Sequence, residues 1–282
     1  MPEPQPSLPS FYAGFLKLFS GLALVQLLNL AFSLVLPRYY TPADYALFGL
    51  FTSAVFILAE VVSMKLDMAV YLPENDDEAI SLVHAVLFLS LILFIPLAVL
   101  SAVASLSYGP VFILLPAVLL VFGFQQGLSA WFARKKAYGV LNVYRLLQAL
   151  LTPVLSLVFI LVFHWSFGLV AGFLLGQFAG MLYLLFCFER TDIRRLTWAN
   201  LKNFLQRYSN FPRFGVVSSL INSISRNGLL FFIERFFGTA LTGQYTMASR
   251  LISTPAGMYQ SALSQVYITQ ATALNGDALK LY

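Results

Sequence analysis

The sequence predicts an all-α, multi-pass transmembrane bundle of about eight helices, and three observations lead to that class. Hydrophobic residues make up 59% of the 282-residue chain and charged residues only 10%, against roughly 25% charged in soluble domains. Apolar runs of about 20 residues, long enough to cross a bilayer core of about 30 Å, recur along the chain. The single cysteine, Cys187, lies inside one of these runs, which excludes an intrachain disulfide and a clustered thiolate metal site.

The elements follow in order. The Pro-rich "PEPQPSLPS" reads as an irregular tail. Phe11 to Leu36 form the first span; the run is too long for a signal-peptide core and no small-residue cleavage site follows it, so it remains as a helix. Further spans are expected at Tyr45 to Met64, Ala79 to Leu106, Val111 to Ala133, Tyr144 to Phe163, Phe167 to Phe188, Phe214 to Phe237 and Thr239 to Ala271. Pro96, Pro116, Pro153 and Pro255 predict kinks in the third, fourth, fifth and eighth helices, because each removes an N–H and clashes with the preceding turn. Gly168, Gly172, Gly176 and Gly180 place a glycine at every fourth residue of the sixth, a stripe that lets a neighbouring helix of the same bundle approach closely.

The net charge of +5 is a topology signal and implies no nucleic-acid partner. With the N-terminus in the cytoplasm, inner loops and inner helix ends collect Lys17, Lys65, Arg134, Lys135, Lys136, Arg145, Arg190, Arg194, Arg195, Lys202, Arg207, Arg213 and Lys280. Arg38 and Arg235 fall outside, in keeping with the positive-inside bias. The outer loops "PRYYTPAD", "SYGP", "HWS" and "G" leave no space for an extracytoplasmic domain. Three units result: a six-helix lobe over 1–188, a cytoplasmic amphipathic linker over 189–213 with Leu196, Leu201, Phe204 and Leu205 among its charges, and the first two helices of a second lobe over 214–282. Shifting the chain by 197 residues lays "LPRYYTPADYALF" over "IERFFGTALTGQY", which matches Arg38 to Arg235 and Asn29 to Arg226, a parallel repeat of the kind transporters use.

Arg226 and Arg250 remain, both inside spans. Counted from the expected helix starts at 1.5 Å per residue, Arg226 lies roughly 18 Å and Arg250 roughly 16 Å into the bilayer, so the two share one level near its middle. A central arginine costs at least about 2.5 kcal/mol to insert and is normally turned to a bundle interior or a watery cavity. Ser219, Asn222 and Arg226, at i, i+3 and i+7, form one polar helix face. Candidate counter-ions are Glu60 and Glu234, but Glu234 is about 12 Å along the helix from Arg226, out of pairing range. A planar guanidinium binds phosphate oxygens bidentately, so the pair points to an anionic, phosphorylated substrate at mid-membrane. Gln26 and Asn29 join Asn222 as candidate binding residues. Gln125, Gln126, Gln148, Gln177, Gln260 and Gln265 either line an aqueous path or bond neighbouring helices. Glu60 is a candidate for the coupling ion, although pairing with Lys65 explains it equally well.

His84 and His164 have no metal-ligand partner at helical spacing, and "ENDDEA" lacks the glycine and spacing of a calcium loop; it suits a helix N-terminus. No nucleophile elbow, phosphate-binding glycine loop or catalytic carboxylate pair is present. Neither an enzyme nor a cofactor is expected.

Three stretches, in order, resemble the polysaccharide exporters of the multidrug/oligosaccharidyl-lipid/polysaccharide flippase superfamily, the O-antigen flippase type. "PRYYTPADYALFGLF" (Pro37 to Phe51) is similar to the family's turn between helices one and two, with Ala46 where glycine is common. "KLDMAVYLPENDDEA" (Lys65 to Ala79) resembles its basic-x-acid-x-Ala segment, and "SRLISTPAGMYQSALSQVYITQAT" (Ser249 to Thr272) its eighth helix. The resemblance implies a carrier of undecaprenyl-diphosphate-linked oligosaccharides, working in the bacterial inner membrane by alternating access between two lobes around a cationic cavity. Arg226 and Arg250 would then face the diphosphate or an acidic sugar. Partners implied are the lipid-linked anionic oligosaccharide, membrane lipids and other polysaccharide-assembly proteins. Family members usually have twelve or more helices, whereas "NGDALKLY" resembles the loop before the ninth, so a shortened second lobe is implied. Rival readings are a multidrug exporter of the same superfamily, a membrane glycosyltransferase or polymerase of the same pathway, and a non-transporting scaffold.

Overall fold

Regular structure in the computed structural model is helical throughout residues 24–188 and 204–253, which are the residues it describes. The expected tail, the start of the first span, residues 189–203 of the linker and the eighth helix past residue 253, with Pro255, Gln260 and Gln265, lie outside them. Six helices among the described residues are long and apolar enough to cross a membrane, which bears out the all-α membrane bundle.

Helix α1 (residues 24–35) runs into a 3-10 turn, Leu36–Arg38, before α2 (Pro42–Val62). Helix α2 begins three residues earlier than its apolar pattern suggests, because "TPAD" builds its own start. The Thr41 hydroxyl accepts the Asp44 N–H, and Asp44 Oδ2 accepts the Thr41 N–H at 2.8 Å. Pro42, in the first turn, has no N–H to leave unsatisfied. The Tyr40 hydroxyl donates to the Ser156 carbonyl at 2.6 Å, which fastens this outer turn to the bundle; burial, then the nearby Asp44 charge, pushes its phenol pKa up.

A short helix α3 (Leu66–Ala69) precedes α4 (Asp76–Tyr108). The acids Asp76, Asp77 and Glu78 occupy the first turn of α4, where carboxylates are favoured by the helix dipole. They also bind basic residues of other elements: Arg134 Nε lies 3.2 Å from Asp76 and Lys135 pairs with the same carboxylate, while Glu78 takes Arg207 at 2.6 Å and the Tyr208 hydroxyl at 3.0 Å. Helix α5 (Leu115–Arg134) follows a 3-10 turn, Pro110–Leu114. Pro116 therefore starts this helix and does not kink it, since a proline in the first turn removes no intrahelical bond. Pro96 and Pro153 do lie inside helices, α4 and α6 (Tyr138–Phe163) respectively.

Helices α6 and α7 (Gly168–Cys187) form the most extensive helix pair among the described residues, and the glycine stripe explains it. A Cβ on Gly172 would strike Ser156 and the Thr152 carbonyl, one on Gly176 the Thr152 side chain, and one on Gly180 the Gln148 amide, 2.8 Å away. Helix α2 is the bundle's inner strut: Phe51 is fully buried with an edge-on contact to Phe112 at 5.9 Å, and Phe48 meets Phe173 at 6.0 Å.

The seventh span, α8 (Phe211–Phe237), opens with a π-helical turn, Phe211–Gly215, and breaks at Gly228 between Val216–Asn227 and Leu229–Phe237. It joins α9 (residues 239–253) through Gly238, whose φ of 81° is open to glycine at no steric cost. Both helices lean on α2. The Ser223 hydroxyl donates to the Phe56 carbonyl at 3.1 Å; on α9, Gly243 lies where any Cβ would collide with the Pro42 carbonyl, and Thr246 fills the space over Gly49.

Candidate functional site

The polar side chains within the bundle gather in two cavities. In the first, of about 520 Å3, α1 supplies Gln26, Asn29 and Ser33, and α6 supplies Arg145, Gln148, Thr152 and Ser156. Both sets follow helical spacing, so each is one polar stripe turned to the same space. Helix α9 adds Met247, Arg250 and Ser253, and α7 adds Leu169, Phe173 and Gln177. Tyr45, Phe48 and Phe56 of α2 give an aromatic wall. The Arg250 guanidinium stands 4.1 Å from the centre of the Phe48 ring, a cation–π contact that orients it. Among the described lining residues none is Asp or Glu.

The second cavity, of about 420 Å3, is lined by Phe56, Ala59, Glu60, Lys65, Phe122, Gln126, Ser219, Asn222, Ser223, Arg226 and Asn227. The polar face expected on the seventh span, Ser219, Asn222 and Arg226, does line one space together. It contains an acid as well: Glu60 Oε2 is 2.5 Å from Lys65 Nζ. Lys65 and Met64 both adopt left-handed backbone conformations, with φ of 59° and 49°, a strain that persists only where neighbours hold it. Here the Ser63 hydroxyl accepts the Lys65 N–H at 3.2 Å and donates to Asp67 at 2.6 Å. Residues 63–65 are thus a fastened turn between α2 and α3. Gln126 donates to the Ala59 carbonyl at 3.1 Å and leaves its own carbonyl oxygen buried without a partner among the described residues.

The candidate residues are therefore divided. Gln26, Asn29 and Arg250 share the first cavity, Glu60, Asn222 and Arg226 share the second, and Phe56 belongs to the walls of both. Glu234 is occupied elsewhere, accepting from the Thr239 hydroxyl at 2.8 Å. The glutamines mostly bond neighbouring helices: Gln148 donates to Gln177 Oε1 at 2.6 Å, and Gln125 to the Gln177 carbonyl at 2.7 Å. His84 is buried with its ring edge-on to Phe188, and no group of three or more His, Cys, Asp and Glu gathers among the described residues.

Arg145 is the residue that sequence reasoning misplaces. Its distance from the inner helix end assigns it to the topology-setting arginines, yet its side chain lines the first cavity. The signal was present in the i, i+3, i+7, i+11 stripe of Arg145, Gln148, Thr152 and Ser156, the same test that singles out Ser219, Asn222 and Arg226.

A multi-pass membrane helix bundle enclosing polar cavities is the class this architecture defines, and comparison with known proteins refines it. The chain belongs to the polysaccharide biosynthesis protein family, whose model matches residues 35–282. No curated protein matches it in sequence. Its fold resembles that of MATE transporters of known structure. It superposes on the crystal structure of a MATE in complex with Br-NRF with a TM-score of 0.55 at 18% identity, covering 92% of this chain and 73% of that one. For the MATE transporter ClbM in complex with Rb+ the TM-score is 0.51 at 15% identity, with 90% and 67% covered.

Proposed function

We propose that the protein moves a lipid-linked oligosaccharide, built on undecaprenyl diphosphate, from the inner to the outer leaflet of a bacterial inner membrane during polysaccharide biosynthesis. The observation that carries this reading is the first cavity: a space within the bundle that holds the Arg250 charge, amides of Gln26 and Asn29, aromatic faces, and no carboxylate among its described lining. A permanently charged, planar donor in a poorly solvated site suits phosphate oxygens, while amides and rings suit the hydroxyls and apolar faces of sugars. The family match supports a role in polysaccharide biosynthesis, and the MATE-like fold supports alternating access around such a site. The two units, 1–188 and 214–282, rock about α2 in this reading, the amphipathic 189–213 segment lies on the cytoplasmic leaflet beside the N-terminus, and Glu60 carries the coupling ion. A multidrug exporter needs buried acids facing a cationic passenger, and none is among the described lining residues of the first cavity.

The test is reconstitution of the chain into lipid vesicles loaded with a fluorescent undecaprenyl-diphosphate-linked oligosaccharide. Transfer between leaflets faster than in protein-free vesicles is expected, and transfer at the protein-free rate contradicts the proposal.

A further inference from the structure

We infer that Gln177 is a sugar-contacting donor of the first cavity, and that Gln148 is the positioning residue that turns its amide so that the amine, and not the carbonyl, faces the passenger. The inference rests on the flippase reading above and assigns two residues within it.

Placement comes first. Gln148 stands ten residues past the start of α6 at Tyr138, and Gln177 nine residues past the start of α7 at Gly168. At 1.5 Å per residue both lie roughly 14–15 Å into a core of about 30 Å. Leu169, Phe173 and Gln177 follow one another at i, i+4 and i+8 and all line the first cavity, so Gln177 is on the helix face turned to that space. Three features fix it there. Gln148 Nε2 donates to Gln177 Oε1 at 2.6 Å, and Gln125 Nε2, from α5, donates to the Gln177 backbone carbonyl at 2.7 Å. Gly180 leaves room for the Gln148 amide, since a Cβ at that position would lie 2.8 Å from its Nε2.

Chemistry follows from placement. A glutamine amide has one acceptor oxygen and one amine with two donors. With Gln177 Oε1 taken by Gln148, turning the Gln177 amide over would set amine against amine, so Nε2 is the end left for the cavity. That nitrogen has no partner among the described residues and is not sealed from the cavity. Ser156, on the same wall, is already committed, its hydroxyl donating to the Thr152 carbonyl at 2.8 Å. A donor left unspent near mid-membrane costs free energy unless a polar group meets it, and a polar passenger supplies that group. Charged donors are the stronger partners of phosphate, so a neutral amine is left to the hydroxyl, ring or acyl oxygens of the sugar.

The experiment compares binding of undecaprenyl diphosphate bearing an oligosaccharide with binding of bare undecaprenyl diphosphate to the full chain in lipid nanodiscs, for wild type, Gln177→Met, Gln148→Met and the double variant. Wild type should bind the glycosylated lipid more tightly, and Gln177→Met should cut that sugar increment by roughly 3- to 10-fold, the worth of one neutral hydrogen bond. Gln148→Met should cut it as well, and the double variant should lose no more than Gln177→Met, because Gln148 acts through Gln177. Binding of the bare lipid should stay at the wild-type level in all three, which also reports an intact fold. A wild type that binds both lipids alike, an unchanged increment in Gln177→Met, or an equal fall for both lipids overturns the contact. An increment kept in Gln148→Met, or losses that add in the double variant, overturns the positioning role. Each of these leaves the flippase reading standing, whereas failure of wild type to bind either lipid overturns that reading too.

Discussion

The two cavities differ in how their charges are balanced, although the same helix separates them. In the first, arginines from α6 and α9 face amides and aromatic rings, and no acid is among the described lining residues. In the second, Arg226 shares the space with a Glu60–Lys65 ion pair braced by a strained turn. The described lining of the first cavity carries two positive charges and that of the second a net one, since Glu60 offsets Lys65, so the first favours an anionic passenger more strongly. In the proposed reading the difference separates two tasks: the first cavity receives the substrate, and the second, which holds Glu60, serves the coupling ion.

Substitutions can break or sharpen that contrast. Arg250→Ala should have the largest effect, lowering surface polysaccharide at least about 30-fold, in line with the roughly 2 kcal/mol or more lost when one partner of a buried charged contact is removed. Export near the wild-type level would mean that the first cavity does not hold the anion. Gly176→Leu changes no charge but drives a side chain into Thr152 at the α6–α7 seam, part of the first cavity's wall. Overpacking of this kind costs about 1–3 kcal/mol, so the unfolding temperature of the purified protein should drop and export should weaken with it; an unaltered melting curve would contradict the close packing. Arg226→Ala should have the smallest effect, less than about 10-fold in the same export assay, since Arg226 is exposed and the Glu60–Lys65 pair does not depend on it. A loss as deep as that of Arg250→Ala would erase the distinction between the cavities.

Much of this architecture was legible in the residues. Hydropathy located the six spans found among the described residues, because hydrocarbon imposes a length and polarity on anything that crosses it, and glycines four apart announced the α6–α7 contact. Helix starts were less legible: α2 begins at its Thr41–Asp44 capping box and Pro116 opens a helix where a kink was expected, because local hydrogen bonding and not hydrophobicity decides both. The site was only half legible. Depth can be counted along a helix, which places Arg226 and Arg250 at a similar level of their spans, but it does not tell that Arg226 is exposed and Arg250 half-buried. The direction a side chain takes relative to other helices cannot be counted. Phe56 and the body of α2 divide two arginines that depth alone would pair, and α6 turns Arg145, set aside as an inner-end charge, into the space beside Arg250.

The most direct test is to photocrosslink a polyprenyl-diphosphate oligosaccharide, with the reactive group beside the diphosphate, to the full chain in membranes and to map the labelled peptides. Label on the cavity-facing residues of α1, α6 and α9, near Asn29, Gln148 and Met247, is the predicted result. Label concentrated between Ser219 and Asn227 on α8, with those three segments unmarked, would contradict the assignment of the passenger to the first cavity.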